Sequence, residues 1–244
     1  MSKTIRRIIS DIVDIEKNPV DNIYIKYNKT DIYKIRALIV GPIDSPYHYG
    51  NFFFEINFPK DYPNSPPKVI FKTINNKVRF NPNLYKDGKV CLSIINTWSG
   101  PGWTSACTLK GILLTIQSIL HQNPIINEPG YEDYKIDYNN PNNKKSIIVS
   151  NYNLYINYHS INLGILDVLE DKFVDFIEFK DKYIELFLLN YSNIKALVEN
   201  YKMIYQNANI NIDLYYFENK NHNLNFNELL NRLNNIYNFL INDK

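Results

Sequence analysis

Four short segments between residues 23 and 74 constrain the fold more than any other feature of the sequence. They are "IYIKY" (23–27), "YKIRALIV" (33–40), "GNFFFEINF" (50–58) and "KVIFKTI" (68–74). β-Branched and aromatic residues dominate each segment, as is typical of β-strands. In the third segment apolar residues alternate with polar ones, which is the period of a half-buried strand; the apolar set is Phe52, Phe54, Ile56 and Phe58. The connections are short and rich in turn-forming residues, so the pattern predicts a four-stranded antiparallel meander.

Helical patterns lie on both sides of these segments. Isoleucines recur at helical spacing from Lys3 to Lys17, and Pro19 ends that pattern. Thr108 has the position and the chemistry of an N-cap for a central helix with the sequence "LKGILLTIQSILHQ". Helical spacing returns after a polar stretch at residues 137–145 and continues almost to the end of the chain.

The order of these elements predicts an α+β fold, with an N-terminal helix, a four-stranded antiparallel meander and a central helix. We assign residues 1–138 to a core that contains these elements. Residues 139–244 are predicted to form a helical C-terminal extension.

The composition argues against several classes of function. A net charge of +2 on 244 residues gives no reason to expect nucleic acid as a partner. We find no signal-peptide pattern at the N-terminus and no apolar run of about 18 residues for a membrane span. Two cysteines do not make a disulfide framework, so we expect a reducing compartment, the cytoplasm, with the nucleus as a further location.

The chain is also unusually rich in Asn, Ile, Lys and Tyr, as in "NNPNNKK" and "NYNLYINY". These residues have AT-rich codons, which indicates an AT-rich genome rather than a prion-like segment. A parasite or a large DNA virus would fit this bias. If the protein is viral, we expect it in the host cytoplasm.

Cys91 lies three residues beyond an Asp-Gly turn, in the stretch "NPNLYKDGKVCLSIINTWSGPGW". A zinc site needs three or four ligands, and two cysteines with four scattered histidines lack that spacing. A cysteine hydrolase needs a base such as histidine beside the thiol, and no histidine sits in a recognisable motif. The pattern favours a carrier thiol on an exposed rim, which accepts an acyl group and hands it on. A hydrolase remains open, because a distant histidine could fold back toward Cys91.

The order and spacing of several motifs in the first half of the chain resemble the ubiquitin-conjugating enzyme family. These motifs are "GPIDSPYHYGNFFFEINFPKDYPNSPPKVIF", then "FNPNLYKDGKVCLSI", then Trp103. The stretches "TWSGPGW" and "NEPGYE" are similar to the subgroup that contains the vertebrate conjugating enzyme Z. The resemblance is strong from about residue 4 to residue 132. It is weaker in the extension, which ends in "FNELLNRLNNIYNFL".

The resemblance implies roles for the residues around the thiol. Cys91 matches the cysteine that carries ubiquitin, or a ubiquitin-like modifier, as a thioester. Asn83 matches the family's asparagine, which donates a hydrogen bond to the tetrahedral oxyanion or organises the nearby loop. Tyr85 and Asp87 are expected to shape the groove that leads to Cys91. The resemblance implies no metal and no cofactor.

The acceptor side is where this sequence departs from its family. Most members place an aspartate on the loop after the central helix to orient the attacking lysine, which must lose a proton. Here that loop reads "NPIINEPGYE", with Asn127 and Glu128 near the matching place. Glu128 is the predicted lysine-orienting carboxylate. Asn81 stands where most members have a histidine, and we expect it to serve as a structural hydrogen bonder.

The resemblance also implies protein partners. Lys3, Arg6 and Arg7 on the first helix match the basic face that family members offer to the ubiquitin-activating enzyme. A ubiquitin ligase and protein substrates are expected as further partners. Asn64 and Ser105 replace the aromatic and the proline that commonly dock RING-type ligases, so that type of ligase is disfavoured. The alternative function is a catalytically silent adaptor of the same fold that binds ubiquitin or a ligase.

Overall fold

The chain begins with helix α1 (Lys3–Lys17) in a computed structural model that describes residues 2–205, 207–215, 217 and 219–242. The Ser2 side chain caps this helix by accepting a hydrogen bond from the Ile5 N–H. The isoleucines at helical spacing form its buried stripe, so the predicted amphipathic helix is confirmed.

Four antiparallel strands follow, and they pair in the order of the sequence. They are β1 (Ile23–Asn28), β2 (Asp31–Val40), β3 (Asn51–Asn57) and β4 (Lys68–Phe71). In the centre of the sheet Ala37 lies opposite Phe54, and Phe54 lies opposite Phe71. The predicted meander is therefore confirmed, with a fourth strand shorter than the segment 68–74.

Helix α2 (Leu109–Ile119) is the predicted central helix. The Thr108 hydroxyl accepts a hydrogen bond of 3.1 Å from the Gly111 N–H, which confirms the expected N-cap. The apolar stripe of this helix is buried at every predicted position: Leu109, Ile112, Leu113, Ile116 and Leu120. Two short 3₁₀ helices flank α2, at Ser93–Ile95 before it and at Pro124–Asn127 after it.

The C-terminal region contains three long helices, as the spacing predicts. They are α3 (Lys144–Ile161), which continues as a π-helical segment at Asn162–Asp167, α4 (Lys180–Tyr205), which follows a 3₁₀ helix at Val174–Phe179, and α5 (Phe226–Asn242). The prediction lacked one feature, an antiparallel hairpin of β5 (Asn207–Asn211) and β6 (Asn221–Asn225). The buried residues Ala208 and Ile210 alternate with asparagines in β5, so a period-two signal was present.

Part of the second face of the sheet is also buried, at Leu38, Val40 and Phe53, where the strand pattern predicts only one buried face. Phe53 points away from Phe52 and Phe54, yet it is fully buried. Its ring stacks on that of Phe176 in the extension, with centroids 4.7 Å apart. The prediction of a half-buried β3 is therefore wrong at Phe53, because the C-terminal region packs on this second face.

The extension and the sheet also meet through polar contacts. The side-chain amide of Asn51 on β3 donates a hydrogen bond of 2.9 Å to the carbonyl of Gly164. A β-carbon on Gly164 would lie 3.1 Å from the Gly50 α-carbon, so glycine permits this close approach. The division at residue 138 stays a prediction. No helix within the described residues is both long and apolar enough to cross a bilayer.

Candidate active site

A tight turn at Tyr85–Lys89 leads the chain to Cys91. The Tyr85 N–H donates to the Lys89 carbonyl at 2.9 Å, and the Lys89 N–H donates to Asp87 Oδ1 at 3.0 Å. Gly88 has a φ of +91°, and a β-carbon there would lie 2.7 Å from the Phe71 carbonyl oxygen. Only glycine meets both requirements without strain. The predicted Asp-Gly turn is confirmed, and Asp87 stabilises it.

Cys91 and Asn83 are joined by two hydrogen bonds. The Cys91 N–H donates to the Asn83 carbonyl at 2.9 Å, and Asn83 Nδ2 donates to the Cys91 carbonyl at 2.7 Å. Cys91 is only 2% exposed, so the expectation of a thiol on an exposed rim is wrong. The cause is local, since these two bonds fold the segment back on itself and Val90 and Leu92 anchor it in the core.

Asn81 fixes the position of this segment through hydrogen bonds of its side chain. Its amide nitrogen donates to the Tyr47 hydroxyl and to the Ile119 carbonyl, each at 2.8 Å. Its side-chain oxygen accepts the Asn83 N–H at 2.9 Å. The predicted role of Asn81 as a structural hydrogen bonder is confirmed, since one fully buried side chain ties Asn83 to the central helix.

Arg79 is a further residue of the site that the sequence analysis missed. Its Nη2 donates to the Pro82 carbonyl at 2.5 Å, and its guanidinium lies 3.9 Å from the centre of the Tyr85 ring. A cation above an aromatic face is attracted by the ring. Arg79 thus contacts the chain on both sides of Asn83. A lone arginine in a predicted loop carries no local signal for such a role.

Glu128 lies on the loop after α2, as predicted, and its carboxylate is already engaged. The side chain is 4% exposed, and Oε2 lies 3.7 Å from Arg79 Nη2. The Tyr215 hydroxyl, from the loop that joins β5 to β6, donates a hydrogen bond to Oε1. This bond raises the pKa of Tyr215 to about 12. The role of Glu128 toward a lysine stays a prediction, and the described contacts of both oxygens lie with Arg79 and Tyr215.

Asn127 faces the end of the central helix. Its Nδ2 donates to the Ile119 carbonyl at 3.3 Å, and its Oδ1 lies 3.1 Å from His121 Nε2. The same Nδ2 is 3.5 Å from Asn81 Oδ1. The loop at residues 127 and 128 therefore contacts the Asn81–Tyr85 segment at both ends, through Asn127 at one end and through Glu128 and Arg79 at the other.

The three basic residues of α1 that are predicted to face an activating enzyme divide into two kinds. Lys3 and Arg6 are exposed. Arg7 is half-buried and donates to the carbonyls of Ser105 and Cys107 while pairing with Asp11 at 3.0 Å. Lys3 and Arg6 have no ion pair among the described contacts, whereas Arg7 fixes the loop that precedes α2.

None of the four histidines forms a described hydrogen bond with the Cys91 thiol. His121 is held by Asn123 and Asn127, and His48 stacks on Tyr49. His159 and His222 both pack against the Tyr155 ring, with centroids 4.4 Å and 4.6 Å away. The hairpin covers the face of α3 that carries His159, and Nδ1 of His159 is shielded from solvent.

The meander lies behind a turn that presents a cysteine, and an asparagine is hydrogen-bonded to that cysteine. Together these features define a conjugating-enzyme fold. The family model for ubiquitin-conjugating enzymes matches residues 7–152. The chain belongs to the ubiquitin-conjugating enzyme family.

Among curated proteins the chain is similar to Ubiquitin-conjugating enzyme E2 Z. The human protein of that name is 43% identical over 167 residues, which are 68% of this chain and 45% of that protein. The zebrafish protein, from Danio rerio, is 43% identical over 69% of this chain and 49% of its own length. A Caenorhabditis elegans relative, the probable ubiquitin-conjugating enzyme protein 17, is 38% identical over 74% of this chain and 25% of its own. The predicted similarity to the Z subgroup is confirmed, and the chain spans about half the length of the vertebrate relatives it matches.

Proposed function

We propose that the protein is an active ubiquitin-conjugating enzyme that carries ubiquitin, or a ubiquitin-like modifier, as a thioester on Cys91. One observation carries the proposal: the pair of hydrogen bonds between Asn83 and Cys91. This pair places an amide donor beside the cysteine that lies three residues after the Asp-Gly turn. A thiol, a fixed donor and a shielded setting are what an acyl carrier requires.

The first step is charging of the thiol. The Cys91 thiolate attacks the thioester carbonyl that an activating enzyme presents after consuming ATP. The new carbon–sulfur bond forms as the activating enzyme's thiolate leaves, so one thioester replaces another. Burial of Cys91 supports storage of the product because it limits the access of water, and no described histidine hydrogen bond to the thiol supplies an imidazole base for hydrolysis.

The second step is transfer to a lysine. The neutral amine attacks the carbonyl on Cys91, the oxyanion of the tetrahedral intermediate needs a hydrogen bond, and collapse expels the Cys91 thiolate to leave an amide. Asn83 Nδ2 has a second hydrogen beyond the one given to the Cys91 carbonyl, so it can serve as that donor. The lysine proton must go to a base, for which Glu128 is the predicted carboxylate.

The partners follow from this cycle. Lys3 and Arg6 supply the exposed basic face for an activating enzyme, and the substrate lysine is presented by a ligase or by a substrate that binds directly. Both cysteines are free thiols, which supports a reducing compartment such as the cytoplasm.

A charging assay tests the proposal. The protein is incubated with ATP, an activating enzyme and a panel of modifiers that includes ubiquitin. We expect an adduct that a reducing agent removes, and we expect Cys91→Ser to give an ester that resists reduction or no adduct. Cys107→Ser is the matched control, because Cys107 is the other free thiol, and it should charge like the native protein.

Two results would contradict the proposal. If the native protein forms no thiol-sensitive adduct with any modifier tested, the result favours the adaptor, especially if ubiquitin binding survives Cys91→Ser. Cleavage of a ubiquitin C-terminal amide would favour the hydrolase.

A further inference from the structure

The buried carboxylate of Glu128 connects the catalytic core to the C-terminal extension. Tyr215 lies 87 residues further along the chain and donates its hydroxyl hydrogen to Glu128 Oε1. Arg79 approaches the other oxygen at 3.7 Å. A carboxylate on a side chain that is only 4% exposed depends on such partners, because burial of an uncompensated charge is costly. The two contacts on Glu128 therefore affect one another.

Arg79 connects Glu128 to the segment that carries Asn83. The nitrogen Nη2 that faces Glu128 also donates to the Pro82 carbonyl at 2.5 Å. The guanidinium plane lies over the Tyr85 ring at 3.9 Å. One rigid group thus contacts the residue before Asn83 and the residue two positions after it. A change in the position of Arg79 changes the position of the donor amide relative to Cys91.

We propose that Tyr215 is a positioning residue for conjugation, which acts through Glu128 and Arg79 on Asn83 and Tyr85. The inference rests on the proposed function and deepens it, since it makes the C-terminal extension a part of the catalytic site. Without the phenol hydrogen, Glu128 keeps its charge and loses a donor. It then draws Arg79 toward itself and away from Pro82 and Tyr85.

The phenol is suited to this task. The raised pKa of Tyr215, about 12, keeps the hydroxyl protonated and able to donate at any physiological pH. Tyr215 is 75% exposed, so little packing is lost when only the hydroxyl is removed. Tyr215→Phe is therefore a variant that should fold normally.

The test separates charging from transfer. Tyr215→Phe is compared with native protein and with Tyr138→Phe, a matched control whose tyrosine is 84% exposed. Each protein is first charged, and its discharge onto free lysine is then followed over time. We expect Tyr215→Phe to charge normally and to discharge about tenfold more slowly, because small misplacements of a catalytic group have effects of this size or larger. Tyr138→Phe should match the native protein in both steps.

A double-mutant cycle identifies the route. The double variant, Tyr215→Phe with Arg79→Ala, should discharge only slightly more slowly than Arg79→Ala alone, since both changes break the same connection. Independent, multiplying effects would overturn the proposal, and so would native discharge by Tyr215→Phe. A structural role alone would lower the melting temperature without this non-additivity.

A second measurement does not depend on activity. In amide NMR spectra, Tyr215→Phe should shift the resonances of residues 79–85 and of Cys91, whereas Tyr138→Phe should leave them in place. Unshifted resonances overturn the inference even if the protein charges. Native protein that fails to charge while Tyr215→Phe shifts those resonances would refute the proposed function and leave the connection supported.

Discussion

Asn83 and Cys91 hold each other in place, because each donates a hydrogen bond to the carbonyl of the other. The distances are 2.9 Å from the Cys91 N–H and 2.7 Å from Asn83 Nδ2. The same side-chain amide thus fixes the backbone at Cys91 and is the predicted donor to a negative oxygen on an adduct of its thiol. These two functions make different demands, and mutation can separate them.

Asn83→Ala should impair transfer more than charging. Removal of one preorganised donor to an oxyanion lowers a rate by about 10²–10³-fold. We expect discharge onto free lysine to fall by that amount, while thioester formation changes by no more than about threefold. Single-turnover discharge of pre-charged protein measures the first and initial charging rates measure the second.

Asn64→Ala is the matched control for this variant, because Asn64 is an exposed asparagine on a loop. It should behave like the native protein with free lysine as the acceptor. Equal losses in charging and discharge by Asn83→Ala would mean that the amide only braces the loop.

Gly88→Ala should destabilise the turn before Cys91. Its φ of +91° is strained for alanine, and the new methyl group would lie 2.7 Å from the Phe71 carbonyl. We expect a loss of roughly 2–4 kcal/mol in the free energy of unfolding, from strain and overpacking together. Gly130→Ala is the control, since Gly130 has a φ of +86° and nothing within 4 Å of the added methyl group.

Gly130→Ala should therefore show the backbone strain alone, about 1 kcal/mol. Chemical denaturation of both variants gives the comparison. Equal losses in the two proteins would show that the Phe71 carbonyl moves aside at no cost.

Phe176→Ala should weaken the packing of the extension on the sheet and lower the stability of the protein. The Phe176 ring is 1% exposed and stacks on Phe53 at 4.7 Å, and removal of a buried phenylalanine costs about 3–5 kcal/mol. Val174→Ala in the same 3₁₀ helix is the control, because Val174 is 70% exposed and should change stability by less than about 0.5 kcal/mol. Similar melting curves for the two variants would contradict this packing.

The core fold could be predicted from the sequence because its determinants are local. The strands follow from runs of β-branched and aromatic residues, and helix α2 follows from Thr108 and a regular apolar stripe. The turn before Cys91 follows from Asp87 and Gly88, which adopt a conformation that few other pairs allow. Each of these elements carries its own information within about ten residues.

The other part of the site depends on contacts between distant segments. Tyr215 contacts Glu128, 87 residues away in the sequence, and Phe53 is buried under aromatic rings of the extension that include Phe176. The local sequence around Tyr215 or Phe176 does not indicate which distant residue each side chain contacts. The hairpin β5–β6 is a different case, since its alternating asparagines and apolar residues gave a signal that helical spacing on either side obscured.

His159 predicts a loss of stability at acid pH. Burial lowers its pKa from 6.5 to about 3, with a further contribution from the nearby His222. In the unfolded chain the imidazole has its ordinary pKa, so it binds a proton as the pH falls below 6.5 while the folded protein does not. The free energy of unfolding should therefore decrease between pH 6.5 and about pH 3, by roughly 1.4 kcal/mol per pH unit for this one proton.

His159→Phe and His159→Gln should both remove this contribution, since neither side chain titrates. Urea unfolding at intervals of half a pH unit measures the slope. On acidification, we expect the free energy of unfolding to fall less steeply in both variants than in the native protein. The difference in slope corresponds to about one bound proton. His222 retains its own lowered pKa in both variants, so part of the native slope should remain. Slopes equal to the native value in both variants would show that His159 is protonated in the folded protein, which its shielded position against Tyr155 and Tyr158 argues against.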